Sequence, residues 1–199
     1  MENETRNPVD RFVNNEILAW LSRPQYAQGC SIASLTTVIN YLFAAEIGVR
    51  TQEQVAAQVG VQADALDMEG GPANELVLEW FDRFLSRCGL QGQCDVLFDG
   101  EDVEDAAQEK TIFSKVNDLV RRNDRILVYH LLHHYNLICG FFESATRAAA
   151  VYTPGLALGR WLILADPSSE RDPLWSVRWE NVRRDLAAYP HHCVLVFGR

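Results

Sequence analysis

Up to Gly89 the apolar residues recur three and four positions apart; beyond it they gather into short branched and aromatic runs. Val9, Phe12, Val13, Ile17, Leu18 and Trp20 predict an amphipathic helix from Pro8 to Ser22, ended by Pro24. Ile32, Leu35, Val38, Ile39 and Leu42 predict a second helix from Cys30 to Ala45. Thr51-Gln52-Glu53-Gln54 has the form of a capping box, which opens a short helix from Gln52 to Val59 that stops at Gly60. Gly70-Gly71-Pro72 opens another, from Ala73 to Arg87, with Leu76, Trp80, Phe84 and Leu85 on its inner face.

After Gly89, Cys94-Asp95-Val96-Leu97-Phe98 reads as a short strand. Gly100 to Gln108 is an acidic connector holding Glu101, Asp102, Glu104 and Asp105, a solvated surface rather than a cation site. Ile112, Val116, Leu119 and Val120 predict a helix from Thr111 to Arg122. Four β-like runs follow: Arg125–Tyr129, His134–Phe142, Trp161–Ala165 and Cys193–Phe197. One helix, Val177 to Leu186, lies between the last two. Helices first and a mainly antiparallel sheet second make the class α+β. The expected layout is one domain over residues 1–199, with a helical lobe at about 1–91 and a sheet lobe at about 92–199.

A chain of 199 residues that is 48% hydrophobic can fill a sizeable core. Its net charge of −9 argues against a nucleic-acid binder, whose affinity rests on a basic face, and disfavours anionic membranes. No basic leader precedes an apolar segment, and no apolar run reaches the ~20 residues that span a bilayer, so the cytoplasm is the expected compartment. Cys30, Cys88, Cys94, Cys139 and Cys193 are odd in number and irregular in spacing, which predicts free thiols rather than a disulfide framework. Cys88 and Cys94 are the one pair spaced to bridge or to share a metal. No CxxC or HxxxH spacing suggests a metal cage, and no cofactor is expected.

The candidate chemistry begins at Cys30. At the first turn of its helix, unpaired backbone N–H groups and the positive end of the helix dipole face the sulfur and favour thiolate over thiol. The competing reading is a small buried hydrophobe, as free cysteines often are. A nucleophilic thiol also needs a base. His134 begins a strand whose remainder packs, so its ring can reach a cleft and hold the thiol proton as a thiolate–imidazolium pair. Asp166 ends the next strand, in Ala165-Asp166-Pro167, where it can accept the second ring N–H. Against these stand an ordinary surface histidine and an ordinary Asp-Pro turn. His130 is expected to pack within its strand, and His191-His192 to face solvent where a strand starts.

The run from Gly29 through Cys30, Ala33, Ser34, Leu35 and Val38 to Asn40 resembles the nucleophile helix of the phytochelatin synthase family, a branch of the papain-like cysteine peptidases. That family's pattern there is Cys-x-Leu-Ala-Ser-Leu-x-x-Val-Leu-Asn. His134-Tyr135-x-x-Ile138-x-Gly140-Phe141 is similar to its His-Phe-x-x-Ile-x-Gly-Tyr strand, and Trp161 to Asp166 to the strand of its aspartate. Pro173-Leu174-Trp175 is similar to its Pro-Pro-x-Trp segment. The C39-like peptidases share the order Cys, His, Asp and commonly carry Asp-Pro, as at Asp166-Pro167.

The resemblance covers residues 24–197 and implies a papain-like fold in which Cys30 is the nucleophile, His134 the general base and then acid, and Asp166 the orienting carboxylate. It also implies an oxyanion hole built from the Cys30 N–H and an upstream glutamine, Gln25 or alternatively Gln28. The implied activity is a cysteine acyl transferase or peptidase working through a thioester on a small peptide such as glutathione or a γ-glutamyl peptide. A metal-thiolate complex is a further implied substrate. The alternatives are C39-like cleavage of a peptide or protein, and a catalytically silent papain-like binding protein. Pro24 stands where the family glutamine lies, Leu131-Leu132-His133 replaces a glycine-rich approach, and Ser169 replaces an arginine. His133 is therefore an alternative base, and Ala148 to Gly159 an insertion.

Overall fold

The computed structural model describes residues 10–25, 29–61, 72–104, 106–131, 134–146, 157–168, 170, 172–189 and 191–199. In chain order the elements are β1 (Arg11–Val13), α1 (Asn15–Ala19), α2 (Cys30–Ile47), α3 (Gln52–Val59), α4 (Asn74–Cys88), β2 (Gln93–Asp99), α5 (Gly100–Glu104) and α6 (Ala106–Val120). There follow β3 (Arg125–Leu131), β4 (His134–Thr146), β5 (Ala157–Ala165), β6 (Leu174–Arg178), α7 (Trp179–Ala188) and β7 (Cys193–Gly198). The strands form a single sheet in the order β2-β7-β3-β4-β5-β6, every pairing antiparallel. The class is α+β, as the sequence predicts.

Alternation along the strands sends side chains to two separate cores. One face, with Ile126, Val128, Tyr135, Leu137 and Leu195, packs against α1 to α4; the other, with Leu127, Tyr129, Ile138, Leu162 and Leu164, packs against α5, α6 and α7. The sheet is thus a middle layer between two helical layers.

α2 lies on the first face. Its 18 residues are long and apolar enough to cross a membrane, yet 72% of them are buried inside the protein. The hydroxyls this burial traps are satisfied locally: Thr36 Oγ1 donates to the Ile32 carbonyl at 2.7 Å and Thr37 Oγ1 to that of Ala33 at 3.0 Å. α3 starts with the expected capping box at Thr51 and Gln54.

The boundaries depart from the sequence expectation where polar residues interrupt apolar runs. Pro8 to Ser22 is not one helix: Asn14 accepts from the Glu16 N–H at 3.1 Å and starts α1, while Arg11–Val13 is a strand. This β1 pairs with Gly140 to Phe142 of β4, beyond the point where β3 ends. Gly140 is needed there, because a Cβ on it would collide with the Phe12 carbonyl. The acidic connector is helical, as α5 and the start of α6. Leu174–Arg178 is a strand that the periodicity does not announce, so the last helix begins at Trp179. Gly70 and Gly71 and most of the Ala148 to Gly159 insertion lie outside the described residues.

Candidate functional site

α2 begins at Cys30 directly after Gly29, which provides no side-chain cap, so the N–H groups of the first turn are not occupied by a capping side chain. Cys30 is 5% exposed. β4 and β5 form a long hairpin whose register runs to Leu137 opposite Ala165. That register brings His134, the first residue of β4, beside Asp166, the residue that follows β5. His134 Nε2 lies 2.8 Å from Oδ1 of the fully buried Asp166, and the same oxygen accepts from the Ser168 N–H at 2.8 Å. The ring also hydrogen-bonds the Cys30 side chain.

The electrostatics follow from these contacts. Burial pulls the His134 pKa down, but the hydrogen bond with Asp166 and then the hydrogen bond and charge interaction with Cys30 outweigh it and lift the pKa to about 9. The ring is therefore an imidazolium at neutral pH. Burial pushes Cys94, Cys139 and Cys193 up to about 12, reinforced by Asp82 at Cys94 and by Glu75 and Asp99 at Cys193.

A seam of hydrogen bonds closes Cys30 onto this pair. The Gln25 N–H donates to the Pro167 carbonyl at 2.9 Å, and Arg23 Nη2 donates to the Ser168 carbonyl. Gln52 Nε2 donates to Ser22 Oγ at 3.0 Å and to the Pro24 carbonyl at 2.9 Å. The chain leading into α2 is thus fastened to the loop after β5. Gln25 sits in this seam through its backbone; Gln28 and His133, the two alternatives, lie outside the described residues.

Among the described residues no group of three or more His, Cys, Asp or Glu is arranged to hold a metal ion. Cys88 and Cys94 are both free thiols, and Cys94 Sγ donates to the Leu78 carbonyl at 3.6 Å instead. His130 packs as expected, stacked on Tyr135 with 4.2 Å between ring centroids. His192 does not face solvent. It is 2% exposed, with Nδ1 3.0 Å from Asp185 Oδ2, which also accepts from the Tyr129 hydroxyl at 2.7 Å. Tyr129 and Asp185 are 56 residues apart and share no motif, so nothing in the linear sequence announces this cluster.

A sheet backed by helices on both faces, with a thiol, an imidazole and a carboxylate in sequence at one end, defines an α+β protein with a buried Cys-His-Asp site. The chain belongs to the family of basic immunoglobulin-like variable motif-containing proteins, whose sequence profile matches residues 11–195. A protein of that description from Xenopus laevis is 25% identical over 177 residues, covering 83% of this chain and 36% of its own. One from Mus musculus is 24% identical over 197 residues, covering 90% of this chain and 39% of its own. One from Giardia intestinalis is 24% identical over 202 residues, covering 85% and 72%. The chain spans little more than a third of the vertebrate relatives' length.

This membership overturns the resemblance to phytochelatin synthases and C39-like peptidases. The acyl transferase or peptidase reading, glutathione or a γ-glutamyl peptide as substrate, the metal-thiolate complex, C39-like cleavage and the silent papain-like alternative all descend from that resemblance and fall with it. The physical reason is visible in α2. Ala33, Ser34 and Leu35 are each at most 2% exposed, and Ser34 Oγ bonds the Tyr135 carbonyl, so the Ala-Ser-Leu run is what close helix-on-sheet packing selects. It is a packing pattern and carries no family on its own.

Proposed function

We propose that the protein is a reactive-thiol protein in which Cys30 is the nucleophile, His134 holds and returns its proton, and Asp166 fixes the ring. The observation that carries this reading is the doubly engaged imidazole, with Nε2 at 2.8 Å from a fully buried carboxylate and the ring also hydrogen-bonded to the Cys30 side chain. A thiol that hydrogen-bonds an imidazole can pass its proton to the ring, and thiolate is the form in which sulfur attacks an electrophilic centre. In the step we envisage, a bond forms from Sγ to an electrophilic carbon of a small ligand. The proton on His134 then passes to the ligand atom that takes up the displaced electron pair. To Gln25, whose backbone N–H bonds the Pro167 carbonyl, we assign the orienting of that ligand. In the same reading the helix-against-sheet layout is papain-like in arrangement, the site works without a cofactor, and the free thiols suit a reducing compartment such as the cytoplasm.

Competitive alkylation with limiting iodoacetamide at about pH 6, followed by peptide mapping of all five cysteines, tests the proposal, since an ordinary thiol with a pKa near 8.5 is almost wholly protonated there. Cys30 should be labelled selectively and should lose that advantage in His134→Ala. Labelling of Cys30 no faster than of the half-buried Cys88 would overturn it.

A further inference from the structure

The face of β4 that carries His134 also carries Asn136, two residues further on. Asn136 is directly opposite Tyr129 of β3, and one step beyond the Leu137–Ala165 pair on the other side it stands beside Asp166. A polar row therefore crosses the sheet from Asp166 through Asn136 to Tyr129, on a face otherwise built from Ile138, Leu162 and Leu164 and covered by Trp179 of α7. Asn136 is fully buried, and among the described residues neither Nδ2 nor Oδ1 has a hydrogen-bond partner. Leucine, of similar volume, would fill the same place without desolvating a carboxamide. Packing alone gives no reason for asparagine here.

The far end of the row is committed. The Tyr129 hydroxyl donates to Asp185, which is also held by His192, so Tyr129 does not compete for Asp166. The Asn136 carboxamide, between the two ends, is not. A half-turn about the Asn136 Cβ–Cγ bond exchanges an N–H donor for a carbonyl acceptor, whichever the neighbouring group needs.

We propose that Asn136 is a positioning residue for the His134–Asp166 pair, its carboxamide steadying Asp166 from the side opposite Ser168 as the proton moves between Cys30 and His134. The inference rests on the reactive-thiol reading for its purpose, but its test stands separately. No step of chemistry passes through Asn136 itself. Its effect is to keep Asp166 Oδ1 on the ring, so its loss weakens the grip that lifts the His134 pKa.

The experiment is an NMR titration of the His134 imidazole in the full chain, run beside the pH profile of Cys30 alkylation, for the native protein, Asn136→Leu and Tyr129→Phe. In Asn136→Leu the His134 midpoint should fall by about half a pH unit or more, a roughly threefold loss of proton affinity. Tyr129→Phe, which disturbs the same face but not Asp166, should leave that midpoint in place. If Asn136→Leu does not fold, Asn136→Ser removes the carboxamide without added bulk and carries the same expectation. A midpoint that stays or rises while only thermal stability changes would show a structural role and overturn the inference. Failure of the native protein to alkylate selectively at Cys30 would instead sink the reactive-thiol reading, with the His134 titration still deciding the role of Asn136.

Discussion

Ser34 Oγ on α2 donates to the carbonyl of Tyr135 on β4 at 3.2 Å, across 101 residues of chain. Ser34 is one helical turn after Cys30, and Tyr135 is the residue after His134. One buried bond therefore ties the helix of the thiol to the strand of the imidazole at the point where their spacing matters. Ser34→Ala leaves that carbonyl without its donor in a dry interface, at a cost of about 1–3 kcal/mol. Urea denaturation should show a lower midpoint with an unchanged slope, since the surface exposed on unfolding is the same.

Asp166 is the group that holds His134 against burial. With Asp166→Ala the ring loses the largest influence raising its pKa, while the burial that lowers it remains. The His134 midpoint should drop from about 9 toward or below the ordinary 6.5, and the labelling advantage of Cys30 near pH 6 should shrink by about tenfold or more. Unchanged selectivity of Cys30 in this variant would mean that the carboxylate does not serve the site.

The same raised pKa fixes how stability depends on pH. A histidine whose pKa is higher folded than unfolded binds its proton more tightly in the native state. Its contribution is therefore complete below about 6.5 and is lost as pH rises through about 9. At 1.36 kcal/mol per unit the full effect is on the order of 3 kcal/mol. Chemical denaturation across that window should show a falling midpoint in the native protein and a flat one in His134→Ala.

The elements that the sequence makes legible are those whose cause is local. The three- and four-residue spacing from Ile32 to Leu42, the capping box at Thr51 and the branched runs of β3 and β7 each report on neighbours in the chain, and each is where the pattern puts it. Cys30, His134 and Asp166 are legible as candidates for a related reason, since each sits at the end of an element that a local pattern marks. β1 is not legible, because its three residues are a strand only through pairing with Gly140 to Phe142, far along the chain. The Tyr129–Asp185–His192 cluster and the place of Asn136 between Tyr129 and Asp166 are likewise products of register. The run in α2 points to the wrong family for the opposite reason: it is a local pattern that close packing explains, and it carries no ancestry.

Gly140 offers a direct test of that long-range pairing. β1 lies so close to β4 that a Cβ on Gly140 would meet the Phe12 carbonyl and approach the Val13 Cα at 3.1 Å. Both are backbone atoms and cannot swing aside as a side-chain tip could. Gly140→Ala must therefore push β1 off the sheet or bend β4, and overpacking of this kind costs about 1–3 kcal/mol. Asn14 lies next to β1, and its N–H donates to the Cys139 carbonyl at 2.7 Å, so displacement of β1 also strains the start of α1. Hydrogen exchange should show loss of protection at Asn14 and along Gly140 to Phe142, while β7, which pairs with β2 and β3, keeps its own. Cys30 labelling should change little, because the His134 end of β4 pairs with β3 rather than with β1. A variant as stable as the native protein would mean that β1 is not bound as closely as this register requires.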